Sequence, residues 1–259
     1  MQTTIVAVGW LEIGLATLFI CVAGIISVVM ALGVAQSLIF AVVRTYAQLI
    51  ALGFAFTWIF KHANMWIVLG ILLCMIMMTT HIAIQRINKR PTGLFMPVTA
   101  AIFLSNITVT FTLTSLILQI DPWYDPRYVL TSAGMVLGNT MTSIAVSIER
   151  LLDDLRKRTA EVNQALAFGG TLWEVALPSI RTALLAGLMP MINSMNAVGL
   201  VFIPGMMTGQ LLAGADPLQA ARYQIVFILM LSAATAIGTM ASVYLVYQRV
   251  FDKEWRLCL

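Results

Sequence analysis

The chain has 259 residues, of which 60% are hydrophobic and only 10% are charged, and its formal net charge is +4. Soluble domains carry roughly a quarter charged residues, so this composition excludes an ordinary soluble protein. The bases cluster at the ends of apolar segments, which disfavours a nucleic-acid-binding function. The composition is typical of an integral membrane protein whose first partner is the lipid bilayer.

Seven apolar segments are long enough to cross a bilayer, which takes about 20 helical residues. We therefore predict an all-α integral membrane protein with seven transmembrane helices in a single domain over residues 1–259. The spans are expected near residues 11–33, 37–60, 65–84, 94–118, 128–148, 182–203 and 223–247. The start of the chain lacks basic residues, so no cleavable signal peptide is expected.

Lysine and arginine are divided unequally between the two sides of this arrangement. One side carries only Lys61, Arg127 and Arg222. The other side carries Arg86, Lys89, Arg90, Arg150, Arg156, Lys157, Arg158, Arg181, Arg249, Lys253 and Arg256. Because bases are enriched in cytoplasmic loops, we predict a cytoplasmic C-terminus and an outer N-terminus in a cell membrane.

Polar residues inside the first two spans are candidates for a substrate path, because ionisable groups are costly in lipid. Glu12 lies in span one, near its outer end, where it could also simply face water. Arg44 and Gln48 lie four residues apart on one face of span two. Arg44 could face a polar interior, or could reach the headgroups along its own aliphatic stem.

Spans four to six carry further polar and small residues. In span four, Thr108, Thr112 and Ser115 share a helical face, and could line a wet path or bond their own backbone carbonyls. In span five, Gly134 and Gly138 form a small-xxx-small pattern that favours close helix packing. The path residues that we single out in spans five and six and just beyond are Asn139, Met141, Asn193, Asn196, Met206 and Met207.

Residues 149–181 form the only long hydrophilic stretch. The pattern predicts a long helix ended at Gly169-Gly170, then a capping box from Thr171 to Glu174 that starts a second, short helix bearing Trp173. Pro178 is expected to kink or end that second helix. A short helix on the cytoplasmic side suits docking to a partner, although the stretch could also be a mere connector.

No pattern for an enzyme is found. The sequence has no phosphate-binding loop GxxxxGK[ST] and no dinucleotide fingerprint. Its three cysteines and two histidines show no metal-type spacing. We therefore expect a non-enzymatic chain without a cofactor of its own, so that any ATP and Mg²⁺ would be bound by a separate subunit.

Three sequence blocks are similar to those of one known family, the FetB-type permeases, to which plant aluminium-tolerance permeases are related. The blocks are RTYAQL at 44–49, GMVLGNTM at 134–141 and GLVFIPGMMTGQLLAGADP at 199–217, the last followed by Tyr223-Gln224. Such permeases are membrane subunits of ABC transporters assigned to iron export. The resemblance implies a permease homodimer working with a separate ATP-binding subunit.

The hydrophilic stretch also resembles the coupling loop of ABC importers, at Ala165, Gly169 and Leu177-Pro178. In this chain Asn163-Gln164 replace the Glu-Ala pair of that loop. The expected coupling residues are Ala165, Gly169, Gly170, Thr171, Trp173, Glu174 and Pro178.

Three functions remain open from the sequence. The first is an ABC permease that exports a metal ion, with iron as the expected substrate. The second keeps this architecture for an organic anion or nucleotide sugar, with Arg44 as a charge-complementary contact. The third is a channel or ion-coupled carrier, which is disfavoured because Glu12 is nearly the only carboxylate inside a span.

Overall fold

A computed structural model describes residues 9–62, 64–87, 91 and 93–251. Seven helices in this part are long and apolar enough to cross a membrane, which confirms the predicted fold class. The helices are α1 (Trp10–Val29), α2 (Ala35–Lys61), α3 (Met65–Gln85), α4 (Phe95–Phe111), α5 (Pro126–Lys157), α6 (Thr159–Ala167), α7 (Leu172–Ala197), α8 (Gly205–Leu212) and α9 (Pro217–Val250). A π-helix over Thr112–Ile117 continues α4. Lys89, Arg90, Lys253 and Arg256, which contributed to the predicted orientation, lie outside the described residues.

The hydrophilic stretch differs from its prediction in how its helices are divided. The expected long helix is interrupted at Arg158, so that α5 ends at Lys157 and α6 is a separate short helix. The expected separate short helix bearing Trp173 is not found, because α7 continues through Pro178 and Pro190. Each proline removes one backbone hydrogen bond. Burial of α7 against its neighbours on both sides of Pro178 compensates this loss, since Val175, Ala176, Ser179 and Ile180 are all buried.

The helices form two compact units. The first contains α1 and α2, together with Leu212–Gly214. Within it, Thr17 and Tyr46 share a hydrogen bond between their hydroxyl groups, and the Tyr46 hydroxyl also donates to the Ile13 carbonyl at 3.4 Å. An apolar groove of about 560 Å³ runs along this hairpin.

The second unit contains α3 to α9, apart from the end of α8. Helix α5 lies at its centre and packs against α3, α4, α7 and α9. Two glycines allow the closest approaches. A Cβ atom at Gly187 would lie 1.9 Å from Ser147 Oγ, and one at Gly238 would lie 2.7 Å from Ser105 Oγ. Small residues at helix contacts are the usual basis of close packing in lipid.

The sequence predicted such a contact at Gly134 and Gly138, and this prediction is only partly right. A Cβ atom at Gly134 would meet the Met75 side chain at 3.4 Å. Gly138 is exposed and has open space where its Cβ atom would be. The reason is its angular position, since Gly138 lies on the face of α5 that no other described helix of this unit covers.

Span four also differs from its predicted polar face. Thr110 and Thr114 are its buried threonines, whereas Thr108 is exposed. Thr114 donates to the Thr110 carbonyl at 3.0 Å, so it bonds its own helix. The π-helix explains part of the shift, because its wider turn moves residues after Phe111 out of the α-helical register.

Candidate functional site

Helix α7 has two different halves. Its last buried residue is Leu188, and none of the residues from Met189 to Ala197 is buried. Beside this second half of α7, a cleft of about 220 Å³ lies between α5, α7 and α9. This cleft is the candidate substrate site.

Two helices contribute matching pairs of side chains to the cleft. Met135 and Asn139 come from α5, and Met191 and Met195 come from α7. Each pair is separated by four residues, so its members lie one above the other on one helical face. The cleft is therefore lined on these two sides by three thioethers and one carboxamide.

Helix α9 supplies oxygen atoms to the third side. Gln224 and Ser232 line the cleft and are only 8% and 6% exposed. The Gln224 Oε1 and Ser232 Oγ atoms are buried and have no hydrogen-bond partner. Burying a polar atom without a partner costs about 1–3 kcal/mol, so this wall of the cleft is suited to receive a ligand or water.

Of the path residues expected from the sequence, only Asn139 lines the cleft. On α7, Asn193 and Asn196 are exposed. The others of this unit are half-buried outside the cleft, and they are Met141, Met206 and Met207. Glu12, Arg44 and Gln48 belong to the unit formed by α1 and α2, where all three are exposed. Among the described residues, no group of three or more histidine, cysteine, aspartate or glutamate side chains could hold a metal ion.

The opposite end of the bundle contains the turn between α6 and α7. Gly169 has φ +87°, a left-handed conformation that glycine adopts at little cost. Its N–H donates to the Leu166 carbonyl at 3.0 Å, and the Gly170 N–H donates to the Ala165 carbonyl at 3.0 Å. This pair of bonds is a Schellman motif, as expected for a helix ended by glycine.

The predicted capping box starts α7. The Glu174 N–H donates to Thr171 Oγ1 at 3.3 Å, and the Thr171 N–H donates to Glu174 Oε2 at 2.9 Å. Both ends of this four-residue turn are therefore satisfied by local hydrogen bonds. The turn is a defined structure rather than a loose connector.

Two aromatic residues of this region have different surroundings. Trp173 is half-exposed and contacts α9 edge to face, with ring centroids 6.3 Å from Tyr244 and 5.7 Å from Tyr247. Phe168, at the end of α6, is 83% exposed. The sequence directed attention to Trp173 as a docking residue, but Phe168 is the aromatic side chain that the turn exposes more fully.

Arg158 connects the three helices at this end. Its Nη1 atom lies 3.8 Å from Asp154 Oδ2 of α5, and its Nε atom donates to Glu161 Oε2 of α6 at 2.8 Å. Its Nη1 atom also donates to Ser179 Oγ of α7 at 3.1 Å. The arginine therefore holds α6 against two long helices. A further ion pair on α5 joins Asp153 Oδ1 and Arg156 Nη1 at 4.0 Å.

Helices α5 and α7 reach from this turn to the cleft. Met191 follows Trp173 by 18 residues in one continuous helix, a distance of about 27 Å at 1.5 Å per residue. Near the turn, Leu151, Leu152 and Leu155 of α5 have no exposed surface and belong to the same core cluster as Val175 of α7. A displacement of α6 would therefore carry α5 and α7, two of the three helices that line the cleft.

Comparison with known proteins gives the family. The family model described as Uncharacterised protein family (UPF0014) matches residues 10–251. The chain belongs to the UPF0014 family. This family assignment confirms the resemblance found in the sequence, and the UPF0014 chain is a multi-pass membrane protein.

Several relatives match over almost the whole UPF0014 chain. UPF0014 membrane protein slr1647 of Synechocystis is 33% identical, over 99% of both chains. Protein ALUMINUM SENSITIVE 3 of Arabidopsis thaliana is 33% identical, over 96% of this chain and 90% of the relative. Probable iron export permease protein FetB of Escherichia coli is 27% identical, over 95% and 93% of the two chains. No solved structure matches.

Sequence reasoning missed the thioethers of the cleft, although one signal was available. Met191 and Met195 follow a four-residue spacing that places them on one helical face, but sixteen methionines in the chain hide such a pair. Gln224 follows the third block that is similar to the FetB-type permeases, and nothing in the sequence indicates that its side chain is buried. Phe168 directly precedes the two glycines that end the helix, and no sequence pattern indicated its exposure.

Proposed function

We propose that this chain is the permease subunit of an ABC transporter that moves a metal ion, with iron as the first candidate, out of the cytoplasm. A separate subunit would bind ATP and Mg²⁺ and perform the hydrolysis, since the sequence has no phosphate-binding loop. The relative named as a probable iron export permease supports the substrate and the direction.

The continuity of α5 and α7 is the observation that carries this proposal. Both helices extend from the turn at α6 to the cleft, and they are joined near the turn by buried leucines and by Arg158. A displacement of α6 can thus be transmitted along α5 and α7 to the cleft and change its width, because these two helices are continuous over that distance. The distribution of bases supports a cytoplasmic position for α6, where the ATPase subunit would dock.

We assign the docking surface to α6 and the residue that follows it. Phe168 is largely exposed, and an exposed aromatic ring is a typical anchor at a protein interface. Trp173 then has the second role of passing the displacement to Tyr244 and Tyr247 of α9. In this arrangement Ala165, Gly169, Gly170, Thr171 and Glu174 shape the turn, and Pro178 lies inside the helix that moves.

A homodimer would complete the path. One face of α5 within its apolar span is exposed and carries the polar side chains of Thr131, Asn139 and Thr142. The other exposed residues on this face are Met135, Gly138 and Val146. Polar groups facing lipid are costly, and interfaces between membrane helices are enriched in small residues such as Gly138. A second permease covering this face would enclose the α5 side of the cleft.

The test is to co-express the chain with an ABC ATPase subunit and to measure ATP hydrolysis and iron efflux by the purified, reconstituted complex. We expect hydrolysis and efflux only when both subunits are present. Phe168→Ala should reduce efflux and co-purification together, because its ring is the proposed anchor.

The matched control is Leu200→Ala, which removes a side chain that is 89% exposed beyond the opposite end of α7. This control should keep normal efflux. The proposal is refuted if the ATPase fails to associate, or if the two variants behave alike. An organic anion transported in place of iron would favour the second function, in which Arg44 contacts the substrate.

A further inference from the structure

The side chains that line the cleft have an unusual set of donor atoms. Three are thioethers, from Met135, Met191 and Met195. The polar members are the carboxamides Asn139 and Gln224 and the hydroxyl groups of Ser194 and Ser232. None of the lining residues is an aspartate, glutamate, histidine or cysteine, so the cleft has no anionic ligand.

This donor set restricts the charge of a bound metal ion. The cost of desolvating an ion rises with the square of its charge, and a cleft without carboxylates or thiolates compensates this cost less completely the higher the charge of the ion. Thioethers are soft ligands that favour soft, low-charge ions such as Cu(I). Fe(III), a hard trivalent ion, is the poorest match.

The third wall indicates that the cleft receives a ligand rather than acting as methionine filler alone. Gln224 and Ser232 are more than nine-tenths buried, and Gln224 Oε1 and Ser232 Oγ have no partner. Flexible methionines that merely fill space need no polar atoms beside them. Here neutral oxygen atoms and thioether sulfur atoms line the same volume.

We propose that this cleft is a binding site for a soft, monovalent metal ion, held mainly by the thioethers of Met191, Met195 and Met135. The carboxamide and hydroxyl oxygen atoms of α5 and α9 complete its surroundings. That the ion is transported rests on the proposed function. Binding of the ion to the cleft does not, and it can be measured on the permease alone. It extends the substrate class from iron to ions of the Cu(I) type.

The experiment is a titration of the purified full-length chain in lipid nanodiscs with Ag(I), a redox-stable probe of this class. Thiols also bind Ag(I), so the background carries Cys21→Ser, Cys74→Ser and Cys258→Ser. We expect one Ag(I) per chain, with sulfur neighbours in its X-ray absorption spectrum. Met191→Leu with Met195→Leu should weaken binding by roughly tenfold or more, because two of three soft ligands are lost.

The matched control is Met77→Leu with Met78→Leu, which alters an exposed pair on α3 that does not line the cleft. This control should bind Ag(I) normally, and Fe(III) should not compete for the site. Equal loss in both double variants, or no stoichiometric binding in the background chain, overturns the inference.

Failure of this inference can be separated from failure of the proposed function. A complex that couples ATP hydrolysis to iron efflux but binds no Ag(I) refutes only the soft-ion site. A chain that binds Ag(I) through Met191 and Met195 but never associates with an ATPase refutes only the ABC function.

Discussion

Substituting Gly187 by alanine tests the packing of α5 against α7. The new Cβ atom would lie 1.9 Å from Ser147 Oγ and 2.6 Å from the Ser143 carbonyl oxygen. The serine side chain can rotate, but the carbonyl belongs to the backbone of a central helix. Overpacking of this kind costs about 1–3 kcal/mol, whereas the better helix propensity of alanine returns up to about 1 kcal/mol. We expect Gly187→Ala to lower the free energy of unfolding by about 1–2 kcal/mol.

The matched control is Gly70→Ala on α3, where a Cβ atom meets nothing within 4 Å. Alanine loses less backbone entropy than glycine on folding, and here it causes no clash. The free energy of unfolding of this variant should therefore rise by about 0.5–1 kcal/mol. Reversible unfolding in mixed micelles, followed by circular dichroism, measures both. Adding Ser147→Ala to Gly187→Ala should restore only part of the loss, because the Ser143 carbonyl remains. A Gly187→Ala protein as stable as the wild type would refute the packing of these two helices.

Substitutions at three further positions are predicted, one inside the bundle and two near the turn between α6 and α7. Gly238→Ala should cost about 1 kcal/mol in the same assay, since both of its contacts under 3.1 Å are with side chains, which can adjust more readily than backbone. Thr171→Ala removes the cap of α7 and should cost about 1 kcal/mol, whereas Thr171→Ser should be nearly neutral. Arg158→Lys keeps the positive charge but loses the guanidinium group that reaches both Glu161 and Ser179. The free energy of unfolding should change by under about 1 kcal/mol, because exposed ion pairs contribute little. Since α6 would be held less firmly against α7, ATP hydrolysis in the complex should become less dependent on substrate.

The number and order of the spanning helices could be predicted because that signal is strong and local. Seven apolar segments, the helix stop at Gly169 and the capping box at Thr171 all follow from short sequence patterns. The course of α7 through Pro178 could not, because a proline is locally unfavourable in a helix. Its tolerance depends on burial of Ala176 and Ser179 against other helices, which the sequence does not show.

The site was harder to predict than the fold, since its residues are brought together by helix rotation. A glycine or an asparagine in a span can face a neighbour, a cleft or lipid, and a small difference in angle decides which. Gly138 and Gly187 both look suited to packing, yet only Gly187 lies against another helix closely enough to exclude a Cβ atom. For the same reason Asn139 lines the cleft while Asn193 does not.

The two halves of α7 combine these features into a physical basis for the proposed transport. Near the turn, α7 is held by the capping box, by Arg158 and by the core that contains Leu155. Beyond Leu188 it has no buried residue, so local opening there costs less than near the turn. Because α7 is tightly packed near the turn and loosely packed beside the cleft, a small movement of α6 can change the width of the cleft without unfolding the core. The cleft walls, with Met191 on the loosely packed part, are then the region expected to differ most between ion-bound and ion-free states.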